Sequence, residues 1–217
     1  MSHSTSRLTA VVLSALLAAG VAVGPAQAGS AGSGRTAVPS ASSAQAPARQ
    51  QIVAKANEAL TKPTKYRTSK NGSVRLSKPK GDNNYLGGHN LNEYNNYNGQ
   101  AWCGHFAAAM WGKQGVPAKY PASQQWRTGL GKRFHAYSPR QLPQPGDVLV
   151  WTNRSNAGFG HVGVVVAVKG RTVTTVEGNA GQGTDSVTRR SYDWKDTRNT
   201  GGPYLQGKNF RGFATPR

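Results

Sequence analysis

Residues 160–180 read G-H-V-G-V-V-V-A-V-K-G-R-T-V-T-T-V-E-G-N-A. Two runs rich in valine and threonine flank a Lys-Gly-Arg turn, the pattern of an antiparallel β-hairpin. A three-residue loop, Lys169-Gly170-Arg171, with its glycine in the left-handed region, pairs Val168 with Thr172. That register sets His161 opposite Asn179 and makes Glu177 its diagonal neighbour on one face. His161, Gly163, Val165 and Ala167 share this face, and Val162, Val164, Val166 and Val168 take the other. A two-residue loop would slip the register by one and turn Glu177 away. Gly163 leaves room beside His161 for another stretch of backbone, for which the start of a helix is the candidate.

Outward from this hairpin the same period of two continues. Asp147–Thr152 and Ser186–Tyr192 read as strands, and Phe210–Ala214 as a last edge strand. Short glycine turns between consecutive strands favour a meander. Upstream the period is helical. Trp102–Gln114 is the strongest helix, stopped by Gly115 and Pro117. Gln51–Leu60 has apolar residues at helical spacing and is followed by Pro63. Ser123–Leu130 is a shorter candidate with Ser123 as its N-cap. Tyr66–Gln100 lacks periodicity and reads as a long irregular stretch with a short strand near Val74–Leu76. A helical half followed by a sheet half gives an α+β domain.

The best helix carries the single cysteine of the chain, Cys103, in A-W-C-G-H-F-A-A-A-M-W. A helix N-terminus and a nearby imidazolium both favour a thiolate. Cys103 as nucleophile and His161 as base, then acid, make a thiol-hydrolase pair. Either Glu177 or Asn179 would accept from the second ring nitrogen and fix the tautomer. The Cys103 amide is one oxyanion donor, and Gln100, Asn98 or Tyr97 are candidates for the other. A metal site competes for Cys103 and His105, but no paired-cysteine or H-E-x-x-H spacing supports it, and the many Asn residues of 82–98 include few carboxylates for calcium. No metal and no cofactor is expected.

Residues 1–28 read as a signal peptide, with Arg7 before an apolar run and Ala26-Gln27-Ala28 as the cleavage site. The run is short for a membrane span, and no later segment would cross a bilayer. Secreted proteins usually pair their cysteines, so an unpaired one points to a thiol kept for chemistry. Residues 29–48, rich in Ala, Ser, Gly and Pro, read as a disordered linker. Residues 49–217 are enough for one domain with its own core. The formal charge is +19, with only eight acidic residues. Such a field draws polyanions, namely wall polymers, anionic lipids or extracellular nucleic acid. No zinc finger, ribonucleoprotein signature or basic helical repeat is present, so specific nucleic-acid recognition is excluded.

These pieces in order, with L-P-Q-P-G-D-V-L-V-W and the terminal F-R-G-F-A-T-P, resemble the CHAP family of cysteine, histidine-dependent amidohydrolases/peptidases, relatives of NlpC and papain-like enzymes. The resemblance spans about Arg49 to Arg217. It implies a papain-like α+β fold, with the nucleophile at a helix N-terminus packed on an antiparallel sheet. It also implies cleavage of amide bonds in peptidoglycan, and it maps the catalytic set to Cys103, His161, Glu177 and Asn179. The chain departs from many relatives at Ala101 and Gly104. Tyr94, Asn96, Asn98 and Gln100 stand where calcium-binding members have acidic residues.

The reading that follows is a secreted, monomeric peptidoglycan hydrolase working through a thioester. Its substrate is the wall, its other partners are anionic wall polymers, and its cut is either an N-acetylmuramoyl-L-alanine amide or a peptide bond. Two alternatives remain. One is a basic wall- or polyanion-binding protein with a vestigial thiol site, and the other is a secreted cysteine protease or acyl transferase.

Overall fold

Long runs of β-branched residues form the frame. Val148–Asn153, Gly160–Lys169, Thr172–Ala180, Ser186–Asp193 and Lys208–Ala214 are the five long strands of one sheet. The computed structural model describes residues 41–67, 72–87, 91–96, 100–181 and 185–217, with backbone alone over 41–47. The leader 1–28 and residues 29–40 of the linker lie outside the described residues, as does His89.

In chain order the elements are α1 (Ala41–Thr61), β1 (Lys65–Arg67), β2 (Val74–Leu76), β3 (Lys78–Lys80), β4 (Asn83–Tyr85), α2 (Cys103–Met110) and α3 (Gln125–Thr128). They continue with β5 (Phe134–Ala136), β6 (Val148–Asn153), β7 (Gly160–Lys169), β8 (Thr172–Ala180), β9 (Ser186–Asp193) and β10 (Lys208–Ala214). The architecture is α+β, compatible with a papain-like arrangement. The large sheet runs β3-β4-β9-β8-β7-β6-β10-β5 with every pair antiparallel, and β1 and β2 form a separate pair. β10 is thus an inner strand between β6 and β5, not an edge. Its pairing is set by contacts far apart in sequence, which strand periodicity does not encode.

Helix α1 begins well before Gln51 and takes in residues 41–48 of the segment read as linker. The alanines of A-S-S-A-Q-A-P-A favour helix once the chain beyond is anchored. Arg49 supplies an anchor. Its guanidinium donates to Asp147 Oδ1 at 2.8 Å and to Pro145 O at 2.9 Å, tying the helix to the turn before β6. Asp147 Oδ2 accepts from the Gln144 amide at 2.7 Å, so this carboxylate closes its own turn. Helix α2 is shorter than 102–114, because Gly112, Lys113 and Gly115 all take positive φ and end it. Ser123 is not a cap. Gln124 stands at the cap position of α3 and makes no side-chain capping bond, its amide donating instead to Trp151 O at 2.8 Å.

The sheet separates two cores. On one face Ile52, Ala56 and Leu60 of α1 and Phe106 and Ala107 of α2 cover Val148, Val150, Val162, Val164 and Val176. On the other, Leu149, Trp151, Val165, Tyr192, Trp194 and Phe210 pack together. Each side chain at the centre of these faces is fully buried, which at roughly 1.5–3 kcal/mol per large apolar side chain makes the two cores the main stabilising term.

The β7–β8 hairpin departs from expectation in an instructive way. Lys169 pairs with Thr172, so the loop is Gly170-Arg171, two residues rather than three, with Gly170 at φ +58. Taken alone this would turn Glu177 away. A bulge at Val166 adds one residue to β7 between Val165 and Ala167, and beyond it Val165 faces Thr175 and Val164 faces Val176. The two one-residue offsets cancel, and the register beyond the bulge is the expected one. The cost falls on the turn side of the bulge, where Val168 joins the face of Val165 instead of Ala167.

Candidate active site

Helix α2 opens at Cys103, so the thiol stands where the first amides of the helix have no intrahelical partner. Three features hold that end in place. The Trp102 amide donates to Asn179 Oδ1 at 3.2 Å. Gly178 lets the helix approach β8, since a Cβ there would sit 2.5 Å from Phe106 Cβ. Gly104 lets it approach the 120–121 backbone, where a Cβ would overlap Tyr120 O and lie 2.6 Å from Pro121 O. A bulky residue after the cysteine would therefore not fit this chain.

His161 is the second residue of β7, opposite Trp151 of β6, with the two rings 6.0 Å apart. Its Nε2 lies 2.9 Å from Glu177 Oε2. The remaining ring nitrogen is the one left for Cys103, which lies near enough to favour the charged imidazole. The backbone N–H groups of Val162 and Gly104 also favour the thiolate. Cys103 is 3% exposed and His161 7%. Yet the thiol faces a ring nitrogen and two amides, so its surroundings are polar.

Glu177 is fully buried and fully used. Oε1 accepts from Thr175 Oγ1 at 2.6 Å and from Tyr192 OH at 2.7 Å, while Oε2 faces His161 and, at 3.5 Å, Arg190 Nε. Gly163 provides the space. A Cβ on it would lie 2.8 Å from Glu177 Cγ, so the gap expected beside His161 is filled by the glutamate and not by the helix. Asn179 does not share the histidine. Its φ of +58, which Asn tolerates better than most residues, turns its side chain to the Trp102 amide.

The electrostatics follow from these contacts. Burial alone would raise the Cys103 thiol, but the His161 hydrogen bond and charge and the two amides bring it below its ordinary value. Burial alone would lower His161; the hydrogen bonds to Cys103 and Glu177 and their charges instead raise it to about 9. Burial would raise Glu177, yet the bond and charge of His161, then Arg190 and Thr175, hold it low. Each partner thus favours the charged form of the other, thiolate for Cys103 and imidazolium for His161.

Of the residues named as oxyanion donors, Gln100 is exposed, and Asn98 and Tyr97 lie outside the described residues. His105 packs edge-on against Tyr120, 5.6 Å between rings. Sequence reasoning missed Thr175 and Tyr192. The i, i+2 spacing of Thr175 and Glu177 on one strand face was available as a signal. Tyr192 required the pairing of β8 with β9.

A family model described as the CHAP domain matches residues 94–179, the family that the motifs resemble. The matched stretch holds Cys103, His161, Glu177 and Asn179. That domain implies a hydrolase of the peptidoglycan amidase or endopeptidase type, and such domains typically act on cell walls. No curated protein matches the chain. No described helix is long and apolar enough to cross a membrane.

Proposed function

We propose that this chain is an exported peptidoglycan hydrolase that cleaves wall amide bonds through a thioester on Cys103. The observation that supports the reading is the 2.9 Å bond between the His161 imidazole and the buried Glu177 carboxylate, with Cys103 near enough to the ring to favour its charged form. Residues 1–28 would direct export, and cleavage there would leave these residues untouched.

In the first half-reaction the thiolate attacks the carbonyl carbon of an amide, and the carbonyl π electrons move to oxygen. The Cys103 amide, first in its helix, is one donor to that oxyanion. The C–N bond then breaks as the His161 imidazolium gives its proton to the departing amine, leaving an acyl thioester and a neutral ring. In the second half the neutral ring removes a proton from water. The resulting hydroxide attacks the thioester, and the thiolate leaves with His161 again protonated. Glu177 holds the ring and favours its charged form, while Asn179 and Trp102 fix the helix end from which the sulfur projects.

Digesting purified walls and weighing the soluble fragments tests the reading and names the bond. The expected result is one new free amine per cut, either on muropeptide stems released intact from sugar or within the stem. Walls that yield no new amine would end it.

The charge supports a second partner, an anionic wall polymer. Lys65 and Arg67 on β1, Arg75 on β2 and Lys78 and Lys80 on β3 are all exposed. The first two help line a hollow of about 450 Å³ with Tyr66, Val74, Asn92 and Asn95. Among the described residues these cations form no ion pair, while Lys62 and Arg189 are taken by Glu58 and Asp82. Replacing Lys65, Arg67 and Arg75 together by Gln is expected to weaken wall co-sedimentation on the order of tenfold at low salt and to flatten its salt dependence. Unchanged binding would assign retention to another surface.

A further inference from the structure

The row of side chains that holds His161 continues past it. Across β10, β6 and β7 the register aligns Phe210, Trp151 and His161, and two residues further along lie Lys208 and Asn153, a pair on the same sheet face. Lys208 Nζ donates to Asn153 Oδ1 at 2.7 Å. The lysine is half-buried at the end of the sheet where β7 begins, and the Cys103 helix packs on β7 and β8. Among the described residues no carboxylate pairs with it, so its bonded side-chain partner is a neutral amide. The charge of Cys103 favours the ammonium, against the burial that disfavours it. A cation in a half-dry position with a neutral partner retains donors for an incoming anion.

We propose that Lys208, held by Asn153, forms a carboxylate-binding subsite beside Cys103 that selects substrates with a free carboxylate next to the bond being cut. The substrate part rests on the hydrolase reading, whereas the affinity of the subsite for a carboxylate near the sulfur does not. An ammonium placed by Asn153 binds such a group as a point charge. The amidated form of the same substrate, with no negative charge, forfeits the attraction. An alternative role, stabilising the thiolate itself, would act on every electrophile alike, and that difference makes the two separable.

Two alkylating reagents of nearly equal size read it directly. Iodoacetate carries a carboxylate one bond from its reacting carbon, and iodoacetamide carries a neutral amide there. Both form a carbon–sulfur bond on Cys103 and release iodide. The expected result is that Lys208→Met lowers the ratio of iodoacetate to iodoacetamide rates about fivefold to tenfold, and Lys208→Arg keeps most of it. A ratio unchanged within about twofold in Lys208→Met overturns the subsite, including the case in which both rates fall together. Peptides with a free carboxylate beside the scissile amide, compared with their amidated forms, give the second arm. There the preference in kcat/KM is expected to shrink in Lys208→Met through KM more than kcat. If the reagent ratio depends on Lys208 while neither peptide is cut by the parent protein, the subsite stands and the hydrolase reading falls.

Discussion

Cys103→Ala is expected to lower wall hydrolysis at least about 10³-fold while the protein stays folded. The size of the effect follows from the role. Without the sulfur no thioester forms, and only positioning and the oxyanion donors remain, a residue of catalysis that is small beside the loss of a nucleophile. Survival of the fold follows from the surroundings. Alanine removes one buried sulfur and leaves Trp102, Phe106 and Ala107, which carry the packing of α2, in place. The amides of Val162 and Gly104 lose a neighbour that favours them, at a cost of about 1–3 kcal/mol. The Asn179–Trp102 bond that fixes the helix end is untouched. The measurement is release of soluble wall fragments per unit time, with circular dichroism and a melting curve on the same sample. Equal clearing by parent and variant would rule out cleavage through a thioester on Cys103, whereas walls left intact by both would leave the basic wall-binding protein as the better reading. Undiminished wall binding by an inactive Cys103→Ala protein would separate retention from cleavage.

Much of this site was legible because its parts obey short-range rules. A thiol at a helix start, a histidine at a strand start and a glutamate one strand on are each readable from period and turn signals. The histidine–glutamate face came out as expected for partly wrong reasons. The loop after Lys169 is one residue shorter than reasoned, and the bulge at Val166 restores the parity. Nothing in V-V-V-A-V marks that bulge, since no glycine or proline interrupts the run and the packing of two different cores decides which valine is displaced. The place of β10 between β6 and β5, and so the position of Lys208, depends on pairing between residues about 55–80 apart in sequence, for which local pattern carries no signal. The three-residue strands β1, β3, β4 and β5 are too short for a period to show, whereas β2 falls at the expected Val74–Leu76. Asn179 illustrates a subtler loss. Alternation set it opposite the histidine, but its left-handed backbone turns the side chain to the Trp102 amide at the helix start.

Glu177→Gln is expected to lower kcat/KM on the order of 10²-fold at neutral pH and to move the alkaline limb of the pH–rate profile toward acid. The sign is set by which charged form the carboxylate favours. Burial disfavours the imidazolium, while the Cys103 bond, the Glu177 bond and the Glu177 charge favour it and together raise His161 to about 9. The parent profile should therefore rise as the thiolate forms, below the ordinary thiol range, and fall near pH 9 as the acid that protonates the leaving amine is lost. A neutral amide removes the charge and leaves the shape. The imidazolium then loses part of its support, the falling limb moves down from about 9 toward the ordinary imidazole value near 6.5, and the thiolate loses its cationic neighbour with it. Alkylation of Cys103 by iodoacetamide at pH 6 reads the same shift without any substrate. It should be fast in the parent and several-fold slower in Glu177→Gln. A merely structural role for the glutamate would lower activity without moving either pH profile. Glu177→Ala tests the structural part. It strands the Thr175 and Tyr192 hydroxyls, which now donate at 2.6 and 2.7 Å, and leaves Arg190 without its buried partner. Breaking a buried charged network of this kind costs about 3–5 kcal/mol, so this variant should melt far below the parent, whereas Glu177→Gln should lose about 1–2 kcal/mol. A glutamine variant that melts like the parent yet keeps its falling limb near pH 9 would show that His161 owes its charge to the thiolate alone.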